Sequence, residues 1–330
     1  MKKIRVFEGF AGFGGASFGL KKAKIPHEVI MFSEWDKWAQ ELFKINHGNI
    51  PLFGENGDIN KGDISKIPAF DLFTGGFPCQ PFSSAGMGMG ELDPRGTLFY
   101  PIIKIIEYHR PKHILLENVK GMTHKKHYPT LLKIISSLKS LGYSIPEPII
   151  LNSKDFGIPQ NRERLWIYAY HGDLPANFTH SPDAIFSKST FHDFLDPQNG
   201  KIVPSNMYLS DDQINVLINK HKMPIESILE ENESLCLDIY NKKLRKDKVS
   251  ITLTEPHHNG LRVVEHGKTQ RGFTVRKLTI TEHFRLMGFS ENQLKQGGQS
   301  YQQLCKRAGN GWDINVASLI FKKIFASNLI

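Results

Sequence analysis

Short β-rich runs alternate with segments of helical spacing through the first half of the chain, and this alternation constrains the fold more than any other feature. It predicts strands at Ile4–Phe7, His27–Phe32, Phe70–Thr74, His113–Leu116 and Leu165–Tyr170. Helical patterns lie between them, at Ala16–Ala23, Lys37–Asn46, Thr97–Tyr108 and Tyr128–Leu141. Such an order is typical of an α/β fold with a doubly wound, mostly parallel sheet and helices on both faces.

The regular pattern ends near residue 181, where Pro, Asn, Ser and Asp become frequent. We therefore predict a larger domain formed by residues 1–188 plus 306–330, and a smaller, irregular domain over residues 189–305. Helical patterning returns at Thr281–Met287. The apolar segment Val316–Phe325 is expected to be a helix that packs back on the first domain.

Composition narrows the classes of protein and the partners. The net charge is +9, and residues 241–277 hold ten Lys/Arg against three acids, so a polyanion is the expected partner. Cys79, Cys236 and Cys305 form no CxxC pair, which argues against a disulfide framework or a zinc site and fits a reducing, cytoplasmic setting. No run reaches the roughly 18 apolar residues of a membrane helix, so no membrane partner is expected.

A glycine-rich turn, FEGFAGFGG at Phe7–Gly15, follows the first predicted strand and precedes a helix. Glycines there let the backbone approach a ligand at the carboxyl edge of the sheet. Such a turn serves a dinucleotide, adenosylmethionine, or merely a tight loop. Glu34 ends the next strand, where an acid commonly accepts hydrogen bonds from a ribose hydroxyl pair. Together the two features favour a nucleoside cofactor.

Cys79 lies in GGFPCQPFS, directly after a predicted strand end and Pro78. A thiol at a rigid, accessible turn is placed to be a nucleophile. A lone cysteine is more often a small buried hydrophobe, but the flanking Pro, Gln and glycines favour the nucleophile here.

Glu117, in LLENVKG, should emerge at the same sheet edge as Cys79. A carboxyl group in a partly desolvated pocket can protonate a ring nitrogen, although a strand-end Glu can also simply pair with a lysine. Arg162 and Arg164, in QNRERLW, are two apart in an extended stretch and so should face one side. That arrangement suits a carboxylate, a carbonyl oxygen or a phosphate, and it is equally compatible with a solvated strand.

The order FAGFGG, EWD, PCQ, ENV, QNRER and KRAGNGWDINVASLI resembles the motif set of the DNA cytosine-5 methyltransferases, especially the compact bacterial restriction–modification enzymes. The resemblance covers nearly the whole chain, except about residues 181–250. It implies the fold of class I adenosylmethionine-dependent methyltransferases, with residues 189–305 as a target-recognition domain and hinge. It also implies methyl transfer from S-adenosylmethionine to C5 of a cytosine in a specific sequence of duplex DNA. The base would be flipped out, with Cys79 attacking C6.

Site residues follow from the same resemblance. The catalytic residues would be Cys79, Glu117, Arg162 and Arg164. Residues of the cofactor site would be Phe10, Phe13, Gly14, Gly15, Glu34, Trp35, Asp63, Ile64, Pro78, Leu98, Asn310 and Gly311. Glu34 would hold the ribose, Trp35 would lie against the adenine, and Asp63 would contact its amino group, with Asp58 as a competitor. DNA contacts would come from Gln80, Ser83, Arg95, Thr252, Asn259 and Arg262.

Some positions depart from the family pattern or are left open by it. Glu8 stands where aspartate is usual. The family's last motif commonly has a small and then an aliphatic residue after Gly-Asn, and here Gly311 and Trp312 follow Gly309-Asn310. The loop Pro81–Arg95 is expected to close over the flipped base, or else to be an ordinary surface loop. His257 and His258 are read as DNA-contacting residues and not as a metal pair, because no third ligand is near and the reaction needs no metal.

The implied partners are duplex DNA and a companion restriction endonuclease, and the chain is expected to act as a monomer associated with the nucleoid, without a metal cofactor. An RNA cytosine methyltransferase of similar fold is the main alternative. A catalytically silent DNA-binding relative is disfavoured because Cys79, Glu117 and Arg164 are all present. A nicotinamide-dependent oxidoreductase would explain the glycine turn and Glu34, but neither PCQ nor ENV.

Overall fold

The computed structural model describes residues 3–77, 99–256, 260–267 and 269–326. Clustering of backbone contacts divides the chain into two compact units. The first is formed by Met1–Leu151, Glu163–Asp183 and Val316–Ile330, and the second by Asn152–Arg162 and Ala184–Asn315. The predicted domain limits at 188/189 and 305/306 stay a prediction.

A seven-stranded sheet forms the centre of the first unit. Its strands are β1 (Ile4–Gly9), β2 (His27–Phe32), β3 (Leu72–Gly75), β4 (His113–Val119), β5 (Tyr143–Ser144), β6 (Ile149–Asn152) and β7 (Glu163–His171). The spatial order is β2-β1-β3-β4-β7-β5, with β6 also paired to β7. The first four of these strands run parallel, while β7 runs antiparallel to β4. The predicted α/β, mostly parallel sheet is confirmed.

Helices of the first unit begin near the carboxyl ends of the parallel strands. They are α1 (Gly15–Lys22), α2 (Lys37–His47), α3 (Phe99–His109) and α4 (Tyr128–Ser140). The Asp36 side chain begins α2 by accepting hydrogen bonds from the N–H groups of Trp38 and Ala39. The apolar faces of these elements meet in one core with the sheet. The glycine turn and Glu34 therefore follow strands, and Glu117 lies near the carboxyl end of β4, at the edge where such sheets bind ligands.

A four-stranded sheet organises the second unit. Its strands are β8 (Leu235–Asp238), β9 (Lys243–Leu244), β10 (Leu261–His266) and β11 (Phe273–Arg276), and every pairing among them is antiparallel. The order is β11-β10-β8-β9. Three short helices belong to this unit, namely α5 (Asp211–Asn215), α6 (Ile280–Arg285) and α7 (Tyr301–Asn310). Val264, Leu237 and Ile228 are among the residues of its own apolar core.

The last helix, α8 (Ile314–Ala326), contains the predicted apolar segment. Within the first unit it approaches α1 closely, because a Cβ added to Gly19 would lie 2.9 Å from the Cβ of Ala317. Glycine thus allows the two helices to pack with little space between them. Among the described residues, no helix combines the length and the apolar character needed to cross a membrane.

Candidate active site

The glycine-rich turn joins β1 to α1 in a backbone conformation that few residues adopt. Phe10, Gly12 and Gly14 have φ angles of 52°, 56° and 90°. Gly14 also begins α1 from this left-handed conformation, which glycine adopts without strain. The Ala11 N–H donates to the Ser33 carbonyl at 2.9 Å, which holds the turn against the end of β2.

Glu34 connects the glycine turn to the start of α2. Its Oε2 accepts a hydrogen bond from the Gly12 N–H at 2.8 Å, and its Oε1 accepts one from the Asp36 N–H at 2.9 Å. A carboxylate oxygen has a second lone pair, so the group is held in place and can still accept hydrogen bonds from a pair of hydroxyls. This geometry fits the ribose of a nucleoside cofactor.

Two aromatic residues assigned to the cofactor site have opposite exposure. Trp35 is 83% exposed directly after Glu34, so its ring offers a free face for stacking. Phe13 is 1% exposed, with its ring 6.2 Å from that of Phe18. The Phe13 ring is therefore part of the core in this structure, and the part of this residue that a ligand can reach is its backbone.

The two candidate partners of the adenine amino group both begin short 3₁₀ turns. Asp63 is exposed, and hydrogen bonds from Ser65 lower the pKa of its carboxyl group. Asp58 follows Gly57, whose carbonyl accepts from Ser33 Oγ at 2.9 Å, and a Cβ on Gly57 would lie 1.9 Å from the Glu34 carbonyl. The segment carrying Asp58 thus packs directly against Glu34. The assignment of Asp63 and Ile64 stays a prediction.

Glu8, which stands in place of the usual aspartate, is buried beneath the turn. Its Oε1 accepts hydrogen bonds from both the N–H and the hydroxyl of Ser17 in α1. Burial raises the pKa of this carboxyl group to about 7, and the Ser17 bonds oppose that rise. Glu8, whose side chain is longer than that of the usual aspartate, therefore links β1 to α1 through Ser17.

Glu117 and Arg164 form an ion pair on neighbouring strands. The arginine Nε lies 3.1 Å from the glutamate Oε1. The Glu117 side chain is 11% exposed and the Arg164 side chain 16%. The antiparallel register of β4 and β7 sets Val119 opposite Arg164 and Glu117 opposite Trp166. Glu117 and Arg164 thus both lie near the end of the paired strands. Lys120 pairs with Glu163 instead, at 2.8 Å. The described ion pair of Glu117 is thus with an arginine, and its catalytic role stays a prediction.

Asn118, which the sequence analysis did not single out, supports the same strand end. Its Nδ2 donates to the Phe77 carbonyl at 3.0 Å, and its Oδ1 accepts from the Val119 N–H at 2.8 Å. The sequence signal that could have found Asn118 was its place in the middle of ENV. Its buried amide bonds to backbone groups, as expected of a positioning residue. Several assigned residues lie outside the described part of the chain, namely Pro78, Cys79, Gln80, Ser83, Arg95, Leu98, Asn259 and the His257-His258 pair.

Arg162 belongs to the second unit and has different surroundings from Arg164. Its guanidinium donates to the carbonyls of Leu253, Gly309 and Gly311 at 3.1, 3.0 and 2.7 Å, and the residue is 2% exposed. Arg162 precedes the first residue of β7, so the side-chain alternation of a strand does not extend to it. Its predicted contact with substrate stays a prediction, while its described contacts are with backbone.

The Arg162 contacts hold the carboxyl end of α7, which carries Asn310. A Cβ on Gly309 would lie 2.5 Å from the Thr254 carbonyl group, so only glycine permits this approach. Asn310 is exposed and donates through Nδ2 to Glu255 at 2.6 Å. Trp312 is 7% exposed, so most of its ring is packed within the protein. The cofactor roles of Asn310 and Gly311 stay predictions.

The predicted DNA contacts in the second unit are less open than their sequence indicates. The Thr252 hydroxyl donates its hydrogen to the Asn161 carbonyl. Arg262 is half-buried, donates to the Leu261 carbonyl at 2.7 Å, and has its pKa lowered by burial. Neither observation excludes a DNA contact, and both assignments stay predictions.

Several basic residues of the stretch at residues 241–277 form ion pairs, and three of them pair with acids from earlier in the chain. Lys246 pairs with Glu230 and Glu231 at 3.3 and 3.1 Å. At least four other basic residues also form ion pairs, namely Arg245, Lys248, Arg271 and Arg276. Lys242 and Lys243, here called the hairpin-tip lysines, are exposed where β8 turns into β9. The positive charge available to a partner is therefore smaller than the sequence count indicates.

Within the described part of the chain, no group of three or more His, Cys, Asp or Glu side chains is arranged to hold a metal ion.

Comparison with known families gives a match along nearly the entire chain. The family described as C-5 cytosine-specific DNA methylase matches residues 4–326. The Type II methyltransferase M.HaeII of Haemophilus aegyptius is 34% identical over 322 residues, which cover 97% of this chain and 92% of that protein. The Type II methyltransferase M.NgoBI of Neisseria gonorrhoeae is 35% identical over 311 residues, with 93% and 88% covered.

A further relative and one solved structure complete the comparison. The Type II methyltransferase M.HpaII of Haemophilus parainfluenzae is 40% identical over 229 residues, which cover 68% of this chain and 61% of that protein. The match thus spans less than two thirds of M.HpaII. The crystal structure of the S. pombe Dnmt2 methyltransferase is similar with a TM-score of 0.71 at 21% identity, covering 98% of this chain and 99% of that one. At this identity the likeness shows the fold.

Proposed function

This chain belongs to the C-5 cytosine-specific DNA methylase family, and from that premise we propose that it methylates C5 of cytosine in a specific sequence of duplex DNA, with S-adenosylmethionine as the methyl donor. The Type II relatives support a role as the modification enzyme that protects DNA from a companion restriction endonuclease. The chain would act as a monomer on DNA.

One observation carries the catalytic part of the proposal, and it is the pair formed by Glu117 and Arg164. A carboxyl group and a guanidinium lie 3.1 Å apart at the end of β4, largely shielded from water. Cytosine presents a ring nitrogen, N3, next to a carbonyl oxygen, O2, and these two groups match the pair. Asn118 ties the same strand end to Phe77, two residues before Cys79 in sequence.

The residues around the glycine turn fit the donor. Glu34 would accept the ribose hydroxyls, Trp35 would cover the adenine, and the turn at Phe10–Gly15 would face the methionine part. When bound, S-adenosylmethionine supplies an electrophilic methyl group on a sulfonium. The protein has to hold that methyl group in line with C5 and keep water away from it.

The chain's own groups make the cytosine ring reactive. The Cys79 thiolate adds to C6 and forms a carbon–sulfur bond, which turns C5 into the nucleophilic carbon of an enamine. Glu117 shares a proton with N3, and Arg164 hydrogen-bonds to O2, so both offset the negative charge that develops on the ring. C5 would then take the methyl group as the bond from that group to sulfur breaks and S-adenosylhomocysteine leaves. Loss of the C5 proton expels the thiolate and restores the aromatic ring.

Access to C6 requires that the base leave the duplex, because stacking covers both faces of the ring. Rotating it out costs a few kcal/mol, which contacts with the DNA backbone have to offset. The hairpin-tip lysines are candidates for such contacts, since their exposed charges stand at a turn of the second unit. Reading of the target sequence by this unit is part of the same proposal.

A covalent trap tests the nucleophile and the order of steps together. Random-sequence duplex prepared with 5-fluorocytosine in place of cytosine contains any target, and fluorine at C5 cannot leave as a cation. The protein with S-adenosylmethionine should form a denaturation-resistant complex with this DNA. Peptide mass spectrometry should locate the link within Pro78-Cys79-Gln80, and Cys79→Ala should form none.

Controls separate the alternatives. Omitting S-adenosylmethionine should greatly reduce the stable complex, and Glu117→Gln should slow its formation by orders of magnitude without loss of DNA binding. A link at Cys236 or Cys305 would overturn the site. A complex with 5-fluorocytosine-containing RNA but not with DNA would establish the RNA methyltransferase instead.

A further inference from the structure

His47, the last residue of α2, is in direct contact with the glycine-rich turn although it lies more than thirty residues away in sequence. Its Nε2 lies 3.1 Å from the Phe13 carbonyl oxygen. Its Nδ1 lies 3.2 Å from Nζ of Lys21, which is in the last turn of α1. The imidazole thus lies between the turn and the end of the helix that follows it.

Both neighbours of the imidazole have fixed hydrogen-bonding roles, and together they define its protonation. The Phe13 carbonyl can only accept, so Nε2 carries the hydrogen. The Lys21 ammonium can only donate, so Nδ1 presents a lone pair. Only the neutral Nε2–H tautomer satisfies both contacts, and an imidazolium would set a second N–H against the lysine. In agreement, burial and then Lys21 lower the pKa of His47 to about 3.

Close packing keeps the ring in this position. A Cβ on Gly14 would lie 2.2 Å from His47 Nε2, so the ring occupies the space that any other residue at position 14 would need. The rings of Phe18 and Phe43 lie 4.6 and 4.7 Å from the imidazole, measured between centroids. The contact is therefore specific to the histidine ring and to glycine at position 14.

Helix α2 connects this contact to the other end of the predicted nucleoside site. It begins directly after Glu34, Trp35 and Asp36, and its eleven residues end at His47. A helix of this length spans about 16 Å and is stiff. Glu34 bonds to the turn at Gly12 and His47 bonds to it at Phe13, so the turn is held from both ends of one helix.

We propose that His47 is a positioning residue for cofactor binding, which holds the glycine-rich turn in its binding conformation as a neutral hydrogen-bond donor. The inference rests on the proposed function, because it assigns the turn to the S-adenosylmethionine site. It adds a residue that lies outside the recognised motifs and that need not contact the cofactor itself.

Two replacements of His47 separate its ring volume from its hydrogen bond. His47→Phe keeps an aromatic ring and loses the donor, whereas His47→Gln keeps an N–H that can reach toward the Phe13 carbonyl. Ile45→Ala, at an exposed position of the same helix, is the matched control. Calorimetric titration of the full chain with S-adenosylhomocysteine measures binding without turnover.

We expect His47→Phe to weaken S-adenosylhomocysteine binding at least tenfold and to raise KM for S-adenosylmethionine with a smaller change in kcat. His47→Gln should recover binding to within about threefold of the wild type, and Ile45→Ala should match the wild type. Nitrogen-15 NMR of the histidine-labelled wild type should give a His47 signal, assigned by its loss in His47→Gln. That signal should show the Nε2–H tautomer and no titration between pH 5.5 and 8.

Equal binding by His47→Phe and the wild type would overturn the inference and leave the proposed function intact. A His47 signal that titrates in this range, or that shows the Nδ1–H tautomer, would overturn it as well, even if His47→Phe fails to fold. A wild type that binds no S-adenosylhomocysteine would overturn the proposed function, and the inference with it.

Discussion

Arg162 and Arg164 are separated by one residue in sequence. Their contacts predict opposite consequences for stability and turnover when each is replaced by lysine. Arg162 donates to three backbone carbonyls, whereas Arg164 contacts Glu117 in the proposed catalytic pair. A lysine at position 162 keeps the charge but reaches at most one of the three carbonyls. Losing two charged hydrogen bonds at about 1.5 kcal/mol each lowers the free energy of unfolding by about 3 kcal/mol. Arg164→Lys loses one contact and about 1 kcal/mol.

Turnover should change in the reverse order. Under the proposed mechanism, Arg164→Lys removes a donor aimed at the position where negative charge develops, and loss of one such donor typically lowers the rate by about 100-fold or more. Arg162→Lys should retain single-turnover methyl transfer within about tenfold of the wild type at a temperature where it is folded. The two variants therefore separate a structural arginine from a catalytic one.

Urea unfolding and hydrogen exchange measure the structural part. Peptides that contain Gly309–Gly311 or Leu253 should exchange faster in Arg162→Lys, because the guanidinium that holds their carbonyls is lost. The same peptides should be unchanged in Arg164→Lys. The reasoning is refuted if Arg162→Lys keeps the wild-type urea midpoint and exchange rates while its methyl transfer falls 100-fold, since Arg162 would then act on the substrate.

Two further predictions concern charge. Replacing both hairpin-tip lysines with glutamine should reduce the salt dependence of DNA binding by up to about two counterions, because about 0.9 counterion is released per phosphate contact. Lys246→Gln should leave the salt dependence unchanged, since two acids already pair with that lysine. A larger effect at Lys246 than at the hairpin tip would contradict this. The free energy of unfolding should also fall as the pH drops from about 6.5 toward 4. Burial lowers the pKa of His47, His113 and His180 to between about 3 and 4, so in this range the unfolded chain binds protons that the folded chain does not. Glu8, whose pKa burial raises, acts in the opposite direction between pH 4.5 and 7 and offsets part of this loss. Urea midpoints at pH 7, 6 and 5 check the sign, and a midpoint that rises steadily toward pH 5 would exclude it.

The parallel sheet could be predicted because its information is local. His27–Phe32 was predicted with its observed bounds, and β1, β3 and β4 with ends that differ by one to three residues. Each of these strands is an apolar run followed by a turn signal, which the pattern alone indicates. The antiparallel direction of β7 was not predicted, since apolar spacing in a strand carries no information about the direction of its neighbour.

The second unit was harder to predict, because its strands are short and polar residues surround them. Strands β8 to β11 each have six residues or fewer, and the sequence indicated only loose structure there. The charge that the basic stretch offers to a partner could not be read from the local sequence for a related reason. Lys248 pairs with Glu233 and Arg271 with Asp211, so the neutralising acids come from segments that a local count of charge does not include.

Residues of the candidate site could be named from the sequence where a chemical role calls for a residue type, and not where only the folded geometry gives the role. Glu34 and Glu117 come just after the predicted apolar runs and carry groups with evident uses, so the sequence indicated them as candidates. His47 and Asn118 act through backbone carbonyls at positions that only the folded chain brings together. Arg162 was expected to face the same side as Arg164, but it precedes β7, and side chains two apart share surroundings only within one continuous strand.

The chain passes between its two compact units four times, after residues 151, 162, 183 and 315. No single cut can therefore release an intact unit, because the first is made of three pieces and the second of two. A split version of the protein, broken near residue 183, would give two fragments that each lack part of both units. Such fragments should remain inactive apart and regain structure only on reassembly, which makes the chain a candidate for methylation that depends on bringing two halves together.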